Sequence, residues 1–290
     1  MGLFLMLTAC VENNGTYKTL ADAPIPRIVG DAWTKADLRI ADAASATVLI
    51  YSHGTRRPQR FANCEAPGFT LPQILEQLDG GSVHVVRHCS RATEQSGPST
   101  AGQQVFARAA ELTRLAEGYV ATGVAADRIF LAGNSNGGWS SLMAYAQKPT
   151  AFGGVVAFAP AFSGPRSEIT RFPWWRQDVR PRHVAKLKAA PELKALIFAY
   201  ENDAFNRPQE LQFLPEAHPK TVTLVSYGCP GVRPHGTYRR DCRLRATTEA
   251  IKAFVGISDA PVTSRTQIQK AEGPALTWPV APHDLGLAMP

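Results

Sequence analysis

The 290-residue chain has no Cys-x-x-Cys, no block of lysines and arginines, and no internal repeat. Each absence removes a class of function. Structural zinc sites draw thiolates from closely spaced cysteine pairs, and the five cysteines, at 10, 64, 89, 229 and 242, offer none. The net charge of +7 is scattered along the chain, so the basic tract expected of a nucleic-acid binder is missing. General solubility accounts for that charge, although it also suits an anionic neighbour such as membrane phosphate or a carboxylated substrate. Charged residues are only 19% and hydrophobic ones 44%, which excludes a disordered chain and allows one large core.

The N-terminus holds an apolar run, MGLFLMLTAC, followed by polar VENNGTYK. It is too short to cross a bilayer, which takes about 20 residues. Small residues ahead of a cut site mark an export signal. Cys10, directly after Leu7-Thr8-Ala9, resembles the bacterial lipoprotein box, in which that cysteine becomes the lipidated first residue. One departure from the box is that no Lys or Arg precedes the run. The expectation is a signal over 1–10 and a membrane anchor at Cys10, in a periplasmic, outer-membrane or secreted protein. The other cysteines form an even set, as suits an oxidising compartment. The pairs nearest in sequence, Cys64–Cys89 and Cys229–Cys242, are the expected disulfides.

Along the chain, residues 11–30 read as a tether with ADAPIP as punctuation, and DLRIAD as an edge strand. ATVLIYSHG (46–54) is a continuous run of β-formers, the pattern of a strand buried on both faces. LPQILEQL reads as a short helix and SVHVV (82–86) as a strand. Over 101–122 Val105, Ala109, Leu112, Leu115 or Ala116, and Tyr119 share one helix face, with Thr100 to cap it and Gly123 to end it. RIFLAG (strand) and NGGWSSLMAYAQK (helix) follow, then GGVVAFAP, LKALIFAY and TVTLVSY as buried strands, and RATTEAIKAFV as a last helix. Alternating strands and helices predict an α/β fold with a mostly parallel sheet covered on both faces. The domain is expected over 31–256, with a possible cap insertion at 163–194 and an extended tail over 257–290.

Gly133-Asn134-Ser135-Asn136-Gly137 sits where strand RIFLAG turns at once into a helix. A serine at the apex of G-x-S-x-G between strand and helix is a nucleophile elbow. This order of parts, with SHGT, GNSNGG, YENDAF and RPHGTY, resembles the α/β-hydrolase superfamily, its dienelactone-hydrolase-like and small secreted esterase members above all, over about residues 46–256. A serine hydroxyl needs a base to take its proton. The resemblance implies a base from the loop after the last strand, and of the seven histidines only His235 lies there. It implies a carboxylate from the loop after the preceding strand: Asp203, with Glu201 in reserve. The oxyanion donors it implies are the N–H of Asn136 and that of Thr55, with Gly54 as the alternative, and His53 braces that turn. Arg56 could meet an anionic group, and Trp174 and Trp175 could wall a pocket, although solvation and packing explain them as well.

The expected function is a serine hydrolase that cleaves a small or polymer-linked carboxylic ester through an acyl-enzyme, with no metal, organic cofactor or nucleic acid. A peptidase or acyltransferase on the same triad, or a non-catalytic envelope-binding lipoprotein, are the alternatives. If Cys10 is lipidated, the expressed protein fractionates with bacterial membranes and Cys10→Ser releases it or leaves it unprocessed. Equal solubility of the two forms contradicts the anchor.

Overall fold

The strands TVLIYS, IFLAGN, GVVAF and ALIFAY have every residue buried, which a strand reaches only when both faces of its sheet are covered. They form the middle of the sheet in a computed structural model that describes residues 25–55, 71–80, 82–92, 102–162 and 164–257. The strands are β1 (Arg27–Val29), β2 (Thr47–Ser52), β3 (Val83–Cys89), β4 (Ile129–Asn134), β5 (Gly154–Phe158), β6 (Ala195–Tyr200) and β7 (Val222–Tyr227). Among the described residues the seven strands are all parallel, in the order β1-β3-β2-β4-β5-β6-β7. This is the α/β-hydrolase fold.

Alternation sends neighbouring side chains to opposite faces. Val48, Ile50 and Leu131 join one core, and Leu49, Tyr51 and Phe130 the other. The first core is covered by α2 (Gln103–Val120) and α3 (Asn136–Gln147), the second by α1 (Gln73–Glu76) and α7 (Leu244–Val255). The expected face of α2 is its buried face, from Val105 to Tyr119, and each buried leucine there contributes about 2 kcal/mol by leaving water. Gly123, at φ +105°, follows its end as expected. Its N-cap is Gly102, and Thr100 lies outside the described residues.

Three expectations about strands change. TVTLVSY is a strand but not a buried one: β7 is an edge of the sheet, and only Val222 and Tyr227 of it are buried. DLRIAD is not a strand. Asp37 accepts hydrogen bonds from the Thr34 N–H (2.7 Å) and Oγ (2.8 Å), and these local bonds close a turn in place of a ladder. The sheet edge is taken by Arg27–Val29, inside the expected tether. Ile28 is buried there, and the carbonyl of Pro26 accepts the Arg87 N–H at 2.9 Å.

The β5–β6 crossover runs through a π-helical turn, Trp175–Val179, into α4 (Arg180–Lys188), and β6 leads through α5 (Pro208–Leu211) and α6 (Phe213–Ala217) to β7. The expected cap insertion is in part core, since Trp175, Val179 and Leu187 are buried in the first cluster. His183 of α4 accepts the Trp139 indole N–H at 3.2 Å and stacks on Phe162 at 4.4 Å. Burial, then the nearby Arg182 and Lys186, push its pKa down to about 4, so a neutral imidazole docks α4 onto α3. No helix among the described residues is long and apolar enough to cross a membrane. Cys10 and the tail from 258 lie outside the described residues.

Candidate active site

β4 ends at Asn134 and α3 begins at Asn136, so a single residue must reverse the chain. Ser135 does this at φ 51°, ψ −122°, a conformation that costs a non-glycine residue about 1–3 kcal/mol. It is held there from both sides. Its N–H donates to Phe158 O at 3.0 Å, and its carbonyl accepts the N–H groups of Trp139 and Ala161, each at 3.0 Å. A Cβ on Gly133 would stand 2.5 Å from the Gly137 carbonyl carbon, and one on Gly137 only 1.9 Å from Ser52 O. Gly133 lets the start of α3 rest on the end of β4, and Gly137 lets it rest on the end of β2.

The Ser135 hydroxyl lies 3.0 Å from His235 Nε2, on a 3₁₀ turn (Pro234–Arg239) that follows β7. His235 Nδ1 lies 2.8 Å from Asp203 Oδ2 and 3.1 Å from Oδ1. A carboxylate only accepts, so Nδ1 carries the proton and Nε2 is free to accept from the serine. Asp203 is fully buried after β6, and its Oδ1 also accepts the Phe205 N–H at 2.8 Å. Glu201, the reserve, is exposed and leans toward Gly228.

Thr55 and Asn136 are joined: the Asn136 side-chain amide donates to Thr55 Oγ1 at 2.7 Å. The Gly54 N–H is committed to Asn134 Oδ1 at 2.9 Å, which leaves Thr55 as the better of the two candidate donors on this turn. His53 is buried, and its Nδ1–H donates to Gly54 O at 2.6 Å. Burial first, then Arg108, hold its pKa well below the usual imidazole range, so it is a neutral brace. Arg108 donates in turn to the His53 carbonyl. Burial lowers its own pKa to about 10, against the pull of Glu111, and it stays charged at neutral pH.

Sequence reasoning missed several of these neighbours. Arg108 lies three residues after Val105 on the inner stripe of α2, a charged residue out of place, and that was a readable signal. Phe205, whose ring sits 4.0 Å from that of His235, carried none. Nor did the clamp on the Asp203 loop. The Glu210 carboxylate meets Arg166 at 2.8 Å and Arg176 at 3.4 Å, its carbonyl accepts from Arg180 at 2.6 Å, and Arg176 also donates to Phe205 O.

Arg56 lies outside the described residues. Trp174 packs edge-on against Phe172 at 5.6 Å, and Trp175 lies in the core at 5.8 Å from the Phe162 ring. The depression that Trp175 lines with Ile169, Phe172 and Arg176 is not lined by Ser135 or His235. His84, His88, His183 and His218 stand away from the triad in the sheet or core. His88 Nε2 lies 3.4 Å from Glu111, and His218 Nε2 2.9 Å from Leu187 O. Among the described residues, the group of acidic, cysteine and histidine side chains close enough to share a metal ion is Cys229, Asp241 and Cys242. Both of its thiols are spent in a disulfide.

That disulfide, with Cα atoms 5.7 Å apart, closes the loop that carries His235. Beside it Asp241 Oδ2 accepts the hydroxyls of Tyr227 (2.5 Å) and Thr247 (2.8 Å), which pins the end of the loop to β7 and α7. Cys89 is also disulfide-bonded, and its expected partner, Cys64, falls outside the described residues.

The Esterase family model ("Putative esterase") matches residues 92–208, which include Ser135 and Asp203. No curated protein sequence matches. Among solved structures the chain is similar to acetyl xylan esterase from Paenibacillus sp. R4, at 16% identity over 74% of this chain and 75% of that one, with a TM-score of 0.51. It is similar to DcsB in complex with its substrate analogue at 17% identity over 73% and 91%, with a TM-score of 0.52. Dipeptidyl peptidase 4 of Porphyromonas gingivalis gives 16% identity over 76% of this chain and 32% of that one, with a TM-score of 0.52. At such identities the structures establish the fold. The fold is that of the α/β-hydrolases, and the segment that carries Ser135 and Asp203 is similar to an esterase family.

Closing the short loop removes chain entropy worth roughly 3 kcal/mol and also limits where the imidazole travels. The Cys229→Ala/Cys242→Ala double variant is expected to lower both the melting temperature and hydrolytic turnover. Full turnover at low temperature with a lowered melting temperature reduces the bond to a structural staple.

Proposed function

We propose that the protein is a serine carboxylic-ester hydrolase. The observation that carries this is the continuous line from Asp203 Oδ2 through His235 to Ser135 Oγ, with contacts of 2.8 Å and 3.0 Å, at the apex of an elbow. Ser135 Oγ attacks the ester carbonyl while its proton passes to His235 Nε2. Asp203 holds the ring in the tautomer that accepts at Nε2 and stabilises the imidazolium. The negative charge that develops on the carbonyl oxygen is met by the N–H groups of Asn136 and Thr55, and one such donor is worth about 3 kcal/mol. His235 returns the proton to the leaving alcohol, and the acyl group stays on Ser135. Water, activated by the same imidazole, then releases the acid and restores the serine.

Ester rather than amide chemistry is favoured because the family model over the nucleophile and acid segments is that of an esterase. No step calls for a metal or organic cofactor. The proposed setting is the cell envelope, with the membrane reached through a lipid on Cys10 and the ester borne by a small molecule or a polymer.

Ser135→Ala is expected to keep the far-ultraviolet circular dichroism of the wild type and to lose on the order of 10⁴-fold in turnover of p-nitrophenyl acetate. Turnover near that of the wild type overturns the proposal.

A further inference from the structure

The side chain of Asn134, the residue before the nucleophile, is 5% exposed and faces three pieces of chain. Its Oδ1 accepts the Tyr51 hydroxyl at 2.6 Å and the Gly54 N–H at 2.9 Å. Its Nδ2 donates to the Tyr238 hydroxyl at 2.8 Å. A backbone N–H must face the oxygen, so the amide has one orientation here. Gly54 is the residue before Thr55, and the contact is close: a Cβ on Gly54 would stand 2.7 Å from Asn134 Nδ2 and 3.1 Å from Ser135 Cβ.

Tyr238 lies on the same 3₁₀ turn as His235, three residues on. Residues i and i+3 eclipse in a 3₁₀ helix, so the two side chains share one face. His235 reaches Ser135 and Tyr238 reaches Asn134, consecutive residues of the elbow. The Tyr238 hydroxyl also accepts the Arg239 Nε–H at 2.9 Å, which fixes it further.

We propose that Asn134 is the positioning residue that holds the oxyanion turn and the base-bearing helix in register with Ser135. This rests on the triad reading. Three groups must be set against one reacting carbon: the serine oxygen, the imidazole and the Thr55 N–H. They come from three different loops, and the Asn134 amide is bonded to the loops that bring the last two while its backbone carries the first. The bonds to Tyr51 and Tyr238 are buried and the one to Gly54 partly so, where directional hydrogen bonds compete less with water. A drift of about 1 Å in either loop costs about 10²-fold in rate.

The test compares Asn134→Ala, Tyr238→Phe and the double variant by kcat, KM and melting temperature. Hydrogen exchange at Gly54 and the low-field Nδ1 proton resonance of His235 are read alongside. Tyr238→Phe, which removes one oxygen and keeps the ring in the core, is expected to lower kcat about 10-fold with KM unchanged, and Asn134→Ala about 10²-fold. The double variant is expected to be no worse than Asn134→Ala, because both cut the same link. Gly54 exchange quickens in Asn134→Ala and not in Tyr238→Phe, and the His235 resonance shifts in both. Wild-type kcat in both single variants, even with a lowered melting temperature, makes Asn134 a packing residue and overturns the inference. If the wild-type protein hydrolyses no ester, the triad reading falls, and the exchange and resonance data decide by themselves. Both unchanged in Asn134→Ala overturns the positioning role, and both altered upholds it.

Discussion

The site depends on one close approach, in which the first turn of α3 lies against the end of β2 with only glycine between them. A Cβ on Gly137 would fall 1.9 Å from Ser52 O, well inside contact distance. That approach brings the Ser135 hydroxyl, the Asn136 N–H at the helix start and the turn after β2 into one small space. Helix N-termini leave N–H groups without intrahelical partners, so the place where Ser135 stands also offers donors for negative charge. The β6 and β7 loops then need only deliver a carboxylate and an imidazole to a fixed point.

How those loops are fixed follows from burial. Asp203 is fully buried, and its loop is clamped from outside by Glu210 between Arg166 and Arg176. The His235 loop is closed by Cys229–Cys242 and pinned through Asp241 to Tyr227 and Thr247. The turn after β2 rests on Arg108 through the His53 carbonyl and on Asn134 through Gly54. Exposed pairs such as Arg182–Asp178, whose side chains are 62% and 58% accessible, contribute about 0.5 kcal/mol at most and position nothing.

What could be read in the sequence was local or periodic. The elbow is a short-range steric statement, and β2, β4, β5 and β6 announce themselves as unbroken apolar runs because both faces are covered. The stripe on α2 follows from its 3.6-residue period. β1 escaped notice because three residues with Ile28 alone buried give no pattern to detect. DLRIAD misled because Ile40 and Leu38 look strand-like, while the deciding bond, from Thr34 to Asp37, is a side-chain effect. The supporting polar network was out of reach for another reason. Asn134 finds Tyr238 104 positions away and Arg108 finds His53 55 positions away, and no spacing in the sequence announces such pairs.

The central claim is that Ser135, at the apex of the elbow, is the group that bonds to the substrate. Its most direct measurement is reaction with a fluorophosphonate followed by peptide mass spectrometry. The account predicts one adduct per chain, on Ser135, formed in step with the loss of ester hydrolysis and absent when His235 is replaced by alanine. Persistent hydrolysis with Ser135 unmodified, or a stoichiometric adduct on another residue, would contradict it.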